Sequence, residues 1–153
     1  MKIEQIVPED CYPLRLEVLR PKGKTYEYQY PGDHREDTFH FGVMRDGKPI
    51  GIASFFANSN ASIKSSNPVQ LRGMATSSAA RGIGAGKALV RFAIGHFREK
   101  GCDVLWCNAR EGAVDFYKKL GFAVVSDRFD VPVIGPHYVM YVELNPRQSS
   151  SNT

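Results

Sequence analysis

The stretch Arg81-Gly82-Ile83-Gly84-Ala85-Gly86-Lys87 sets three glycines between two cations just ahead of a long amphipathic run. A helix N-terminus leaves about four main-chain N–H groups without intrahelical acceptors and carries roughly half a positive charge, so a phosphate fits there. Glycines let the backbone approach the oxygens without Cβ interference, and Arg81 and Lys87 add charge at the rim. Two familiar phosphate loops are excluded by spacing. A Walker A loop needs one more residue between Gly82 and Gly86 and a hydroxyl where Ala88 stands. A dinucleotide fingerprint needs its third glycine later than Gly86. What remains is R-x-x-G-x-G on Arg81, Gly84 and Gly86. The competing reading is a tight turn without a ligand. It leaves unexplained why each glycine inside a helix start is tolerated at a cost of about 0.5–1 kcal/mol.

Several elements must hold this turn. Lys2–Val7 reads as a short strand ending at Pro8, and Tyr12, Leu16 and Leu19 mark a helix from Glu9 to about Arg20. Pro21–Asp37, with Tyr26, Tyr28 and Tyr30, shows no sustained period and reads as a long substrate-facing loop. Phe39–Met44 and Ile50–Ala57 flank an Asp46-Gly47 hairpin signal, and Val69–Ala75 reads as a further strand. Leu89, Phe92, Ala93, His96 and Phe97 place a helix over 84–100, capped by Gly101. Asp103–Cys107 is strand-like, Ala113, Phe116, Tyr117 and Leu120 mark a second amphipathic helix ending at Gly121, and Phe122–Asp130 and Tyr138–Leu144 are the last strands. The expected architecture is one α/β (α+β) domain over 1–145, a mixed central sheet flanked by helices, with a frayed tail over 146–153.

With 42% hydrophobic and 24% charged residues, the 153-residue chain matches an ordinary globular domain able to bury a core without staples. Twenty Lys+Arg against 16 Asp+Glu give a charge of +4, but the basic residues form no run, so an anionic ligand is expected and nucleic acid is not. The odd cysteine count (Cys11, Cys102, Cys107) shows no C-x-x-C spacing, which speaks for a reducing compartment and against a metal site. No run approaches the roughly 20 apolar residues of a membrane span, and Glu9 and Asp10 fall where a signal peptide would be apolar. A cytoplasmic protein is the expectation.

Val69-Gln70-Leu71-Arg72-Gly73-Met74-Ala75-Thr76, followed by Arg81 to Leu89, resembles motif A of the GNAT superfamily of acyl-CoA-dependent N-acetyltransferases. Ala113-Val114-Asp115-Phe116-Tyr117-Lys118-Lys119-Leu120-Gly121-Phe122 resembles its motif B, A-x-x-F-Y-x-x-x-G-F. Order and separation agree, and the likeness spans most of 38–144. It implies a V-shaped splay between strands 4 and 5 with acetyl-CoA in the opening. Met74, Ala75 and Thr76 would pair with the pantetheine arm, and the backbone near Met74 or Ala75 would bond the acyl carbonyl. Gly82, Ile83, Gly84, Ala85, Gly86 and Lys87, with Arg81 at the rim, would hold the pyrophosphate.

The resemblance places Tyr117 near the CoA sulfur, where a phenol can protonate or stabilise the departing thiolate; the alternative is a core aromatic of its helix. Two positions depart from the family pattern. The cofactor-contacting Asn of motif B is replaced by Arg110, with Asn108 nearby, and either could reach CoA. The glutamate base of some members is replaced by Leu105. His137, in Gly135-Pro136-His137-Tyr138-Val139-Met140, resembles the P-H-x-x-M ending of a bacterial branch and is the candidate base, against a passive loop role. His34 reads as solvated, His40 and His96 as structural, and Cys107 as a buried thiol rather than an acyl carrier. The expected activity is acetyl transfer from acetyl-CoA to a primary amine of a small molecule or peptide by direct attack in a ternary complex, with Tyr117 as acid and His137 or a water wire as base, without metal or membrane and with a homodimer admitted. The alternative is a non-catalytic CoA-binding module of the same fold.

Overall fold

A computed structural model describes residues 1–144; the tail expected to fray, 146–153, lies outside the described residues. The chain resolves into two compact units, one of Met1–Phe56 with Arg72–Phe92, the other of Ala57–Leu71 with Ala93 onward.

In the first unit, β1 (Ile3–Gln5), β2 (Phe39–Arg45) and β3 (Lys48–Phe56) form an antiparallel meander. The β2–β3 turn forms where the sequence places it, because Asp46 (φ 51°) and Gly47 (φ 76°) both take the left-handed conformation that a two-residue hairpin demands. The single helix expected from Glu9 is instead a 3-10 turn (Pro8–Cys11), α1 (Tyr12–Leu14) and a wide π turn (Arg15–Leu19), closed by the Arg20 N–H on the Arg15 carbonyl at 3.1 Å. Pro13 has no N–H to give the preceding turn, which explains the broken pitch. The long loop contains one helical turn, α2 (Thr25–Tyr28). Phe41, Val43, Ile52, Phe55, Leu89 and Val90 are at most 2% exposed, and each fully buried side chain of this size contributes roughly 1.5–3 kcal/mol. Strand β4 (Pro68–Thr76) ends in this unit and leads into α3 (Ala85–Glu99). Gly51 of β3 lets α3 sit close: a Cβ there would lie 3.2 Å from the Ala85 Cβ and 3.6 Å from Leu89 Cδ1.

In the second unit, β4 pairs parallel with β5 (Val104–Arg110), from Pro68↔Val104 to Leu71↔Cys107. The pairing ends there, at the point where the family resemblance sets the splay, and β5 runs on paired with β8 (Gly135–Glu143) as far as Arg110↔His137. Helix α4 (Val114–Lys119) follows a 3-10 turn, Glu111–Ala113. The strand expected over Phe122–Asp130 is two pieces, β6 (Ala123–Val124) and β7 (Phe129–Val131), both on β8. Val124 faces Met140 and Phe129 faces His137, so the chain loops out between them. The loop is held by Val125 N–H to the Val139 carbonyl (2.9 Å) and Val139 N–H to Ser126 Oγ (2.8 Å). Ile63, Val104, Trp106 and Val139 form the core here, with Val125, Phe129 and Tyr141 against them.

The strand order is β1-β2-β3-β4-β5-β8-β6 with β7 on β8, a mixed eight-stranded sheet whose parallel pair is β4–β5.

Candidate active site

The first unit holds the glycine turn. After β4, the Ser77 N–H bonds the Ile50 carbonyl (2.9 Å) and Ala80 is fully buried, which anchors the approach. Arg81, Gly82, Ile83 and Gly84 then stand exposed. Gly82 (φ 86°) and Gly84 (φ 81°) both take a conformation that L side chains rarely adopt, and a Cβ at either would meet nothing within 4 Å. Neither glycine is required for packing, so the requirement is backbone shape beside open space. The first helical bond runs from Ala88 N–H to the Gly84 carbonyl (2.9 Å). The amides of Ala85, Gly86 and Lys87 therefore precede the ladder and have no intrahelical acceptors. Ala85 is buried against β3, whereas Lys87 is exposed. These features fit a pyrophosphate. On β4, Ala75 is buried in the cluster with Cys11, Leu14 and Ile52, while Met74 and Thr76 are half-buried.

The first unit also contains a polar network that sequence reasoning missed. The Arg15 guanidinium donates to both Asp33 carboxylate oxygens (2.8 and 3.0 Å), to the Tyr28 carbonyl (2.9 Å) and to Ser54 Oγ (2.9 Å). His40 continues it, with Nδ1 on Ser54 Oγ (2.7 Å) and Nε2 donating to the Asp33 carbonyl (2.9 Å). Burial lowers the His40 pKa below the usual histidine value, against the pull of Asp33. Arg15 lies 3.8 Å from the Tyr30 ring centre. A buried-strand pattern flagged His40 as structural, but Arg15 falls on a helical segment whose apolar stripe gave no reason to expect a buried cation. His34 is exposed and bonds Glu9 at 2.7 Å, as a surface residue would.

In the second unit Tyr117 of α4 is 7% exposed, packed between Phe116 and Phe122 and hydrogen-bonded to the Cys107 thiol of β5. Burial, then the neighbouring sulfur, raise the phenol well above the ordinary tyrosine value. Burial pushes the Cys107 thiol up to about 12 despite the hydrogen bond from Tyr117, so it is protonated at neutral pH. Asn108 and Arg110 are exposed. His137 is 6% exposed, stacks on Phe129 and gives its Nδ1–H to the Gly135 carbonyl (2.8 Å), which leaves Nε2 as the basic nitrogen.

Strand alternation separates these groups. Leu105, Cys107 and Ala109 share one face of β5 with Met140 and Tyr138 of β8, whereas Trp106, Asn108 and Arg110 share the other with Val139 and His137. Tyr117 joins the first face through Cys107, and His137 lies on the second beside Arg110. The structure thus groups Asn108, Arg110 and His137 and does not group Tyr117 with His137. Among the described residues no set of three metal-ligating side chains converges, and no helix is long and apolar enough to cross a membrane.

A mixed sheet with this strand order, a parallel central pair and an open glycine turn at the helix after the fourth strand defines the GNAT acetyltransferase fold. The chain belongs to the GNAT acetyltransferase family, whose model matches residues 5–122. It is 39% identical over 144 residues to the uncharacterized N-acetyltransferase YitI of Bacillus subtilis (strain 168), covering 94% of this chain and 97% of that protein. Among solved structures, Escherichia coli ElaA is similar with a TM-score of 0.76 at 18% identity, over 93% of this chain and 99% of that one. An aminoglycoside 6'-N-acetyltransferase complexed with coenzyme A gives 0.75 at 12% identity, over 96% and 99%. At such identities the likeness to the solved structures is one of fold.

Proposed function

We propose that this chain transfers an acetyl group from acetyl-CoA to a primary amine of a small molecule or peptide by direct attack, as one transferase domain over 1–145. The observation that carries the reading is the pair of exposed left-handed glycines, Gly82 and Gly84, ahead of amides that have no intrahelical acceptor. Membership of the GNAT family and likeness to an acetyltransferase solved with coenzyme A support the choice of acyl donor.

Gly82 to Lys87, with Arg81 at the rim, hold the pyrophosphate, and the backbone of Met74, Ala75 and Thr76 holds the pantetheine arm. Asn108 or Arg110, both exposed and on the face of β5 opposite Cys107, is the further cofactor contact that the family resemblance implies. Acetyl-CoA supplies the thioester. The neutral amine attacks the carbonyl carbon, the C–N bond forms, the C–S bond breaks and the sulfur leaves with the electron pair. Tyr117, which holds its proton tightly, serves the leaving sulfur as hydrogen-bond donor by turning its one O–H from Cys107 to that sulfur. The amine proton leaves to water. His137 is the second reading for the base because its Nε2 carries the lone pair; its placement on the opposite face of β5–β8 from Cys107 disfavours it.

Thiol release from acetyl-CoA with a panel of primary amines tests the proposal. Amine-dependent release supports it. Tight CoA binding with no release on any amine sinks it in favour of a CoA-binding module, which the separation of Tyr117 from His137 would then explain.

A further inference from the structure

We propose that Arg72 binds a carboxylate on the acceptor, so that the amines this chain acetylates are amino acids or similar carboxylate-bearing amines. The inference rests on the transferase reading and names its substrate class.

Arg72 is half-buried on β4, with its guanidinium carbon 4.5 Å from the Tyr30 ring centre and 5.4 Å from that of Phe56. The two rings are themselves 6.3 Å apart and tilted by 46°. A guanidinium over aromatic rings uses its flat face there and keeps its in-plane N–H donors at the edge. Among the described residues no carboxylate lies within 4.0 Å of Arg72, whereas the other arginine at Tyr30, Arg15, is paired at two points with Asp33.

The nearby acid cannot be shared. Both Asp33 oxygens accept from Arg15, and one also accepts the Tyr30 N–H at 2.8 Å. Ser54 Oγ is engaged by Arg15 and His40. Arg15 and Asp33 cancel, and Arg72 contributes one uncompensated charge against an apolar wall, where a paired anion gains more than it would in water. One charge suits a carboxylate better than a doubly charged phosphate, and the planar fork matches it at two points.

The position is also apt. Gly73 follows in a left-handed conformation (φ 64°), and a Cβ there would lie 2.9 Å from Tyr30 Cε2, 3.1 Å from its hydroxyl and 3.2 Å from Arg15 Nε. Arg15 and Tyr30 therefore press on the β4 backbone next to Met74, where the acyl carbonyl is proposed to bond. Arg72 stands two residues from Met74 on β4, across the left-handed Gly73, a separation that one small amino acid can bridge.

The test pairs β-alanine, γ-aminobutyrate and phenylalanine with their carboxamides, for the wild type, R72K and R72Q. Comparing ratios between variants cancels the differing basicity of the amines. From the wild type to R72Q the acid-to-amide ratio in kcat/KM should fall by about tenfold, the worth of one charge-assisted contact. R72K should lower it less, and CoA affinity should stay within about twofold. Circular dichroism and Tm confirm folding. An acid-to-amide ratio that is the same in R72Q as in the wild type would overturn the proposal while leaving the transferase reading intact. A loss of CoA affinity by about tenfold or more in R72Q would also overturn it, assigning Arg72 to a cofactor phosphate. Glutarate binding by ligand-observed NMR, without acetyl-CoA, supplies a readout free of turnover. Binding lost in R72Q, with no amine acetylated by any form, would uphold this site and remove the transferase reading.

Discussion

Arg15 and Asp33 form a two-point ion pair, at 2.8 and 3.0 Å, whose side chains are 0% and 1% exposed. The pair ties the helical segment 8–19 to the end of the long tyrosine-bearing loop, because Asp33 also takes the Tyr30 N–H and Arg15 also takes the Tyr28 carbonyl. Removing one partner strands the other charge away from water. Asp33→Asn should therefore destabilise the chain by about 3–5 kcal/mol. Urea unfolding measures this, and a loss below about 1 kcal/mol, the size of a surface pair, would show that the pair is not buried in solution.

Tyr117→Phe keeps the ring between Phe116 and Phe122 and removes only the hydroxyl. Turnover should fall by about a hundredfold, the lower end of what a positioned proton donor supplies. The Kd for CoA should not move. Equal turnover in the two proteins would return Tyr117 to the role of a core aromatic.

Gly84 and Gly95 both have open space where a Cβ would go, yet their substitutions should have opposite effects. Gly84 has φ 81°, so Gly84→Ala forces a left-handed alanine at a cost of roughly 1–2 kcal/mol and puts a methyl where phosphate oxygens would approach. Gly95 lies within α3, and Gly95→Ala should stabilise by about 0.5–1 kcal/mol without touching CoA affinity. Melting curves with and without CoA separate the two.

Burial holds the His40 pKa below its unfolded value, so the unfolded chain takes up the proton first as pH falls. The contribution of neutral His40 is complete above about pH 6.5 and declines as pH drops from there toward the folded value. His40→Gln should flatten this slope in stability below about pH 6.5. An unchanged slope would mean that folding does not alter the proton affinity of His40.

The sequence was most legible where a local signal sufficed. Asp46-Gly47 named its turn, the 3.6-residue period named α3, and three glycines between two cations marked the exposed turn ahead of it. What stayed hidden depends on contacts distant in sequence. Arg15 and Asp33 sit 18 residues apart, one on a helical run and the other in a loop without period, so nothing local marks them as partners. The break between β6 and β7 is set by Val139, on another strand. Tyr117 and His137 both attract attention by residue type, but only the β5–β8 register puts them on different faces.

Gly51 and Ala85 meet closely enough that a single added methyl at 51 would lie 3.2 Å from the Ala85 Cβ. The start of α3, and with it the direction of its unbonded amides, is thus fixed by two residues that need never touch a ligand. Volume gained at one must be given up at the other. Across relatives, positions 51 and 85 should therefore vary together in size while Gly82 and Gly84 stay constant.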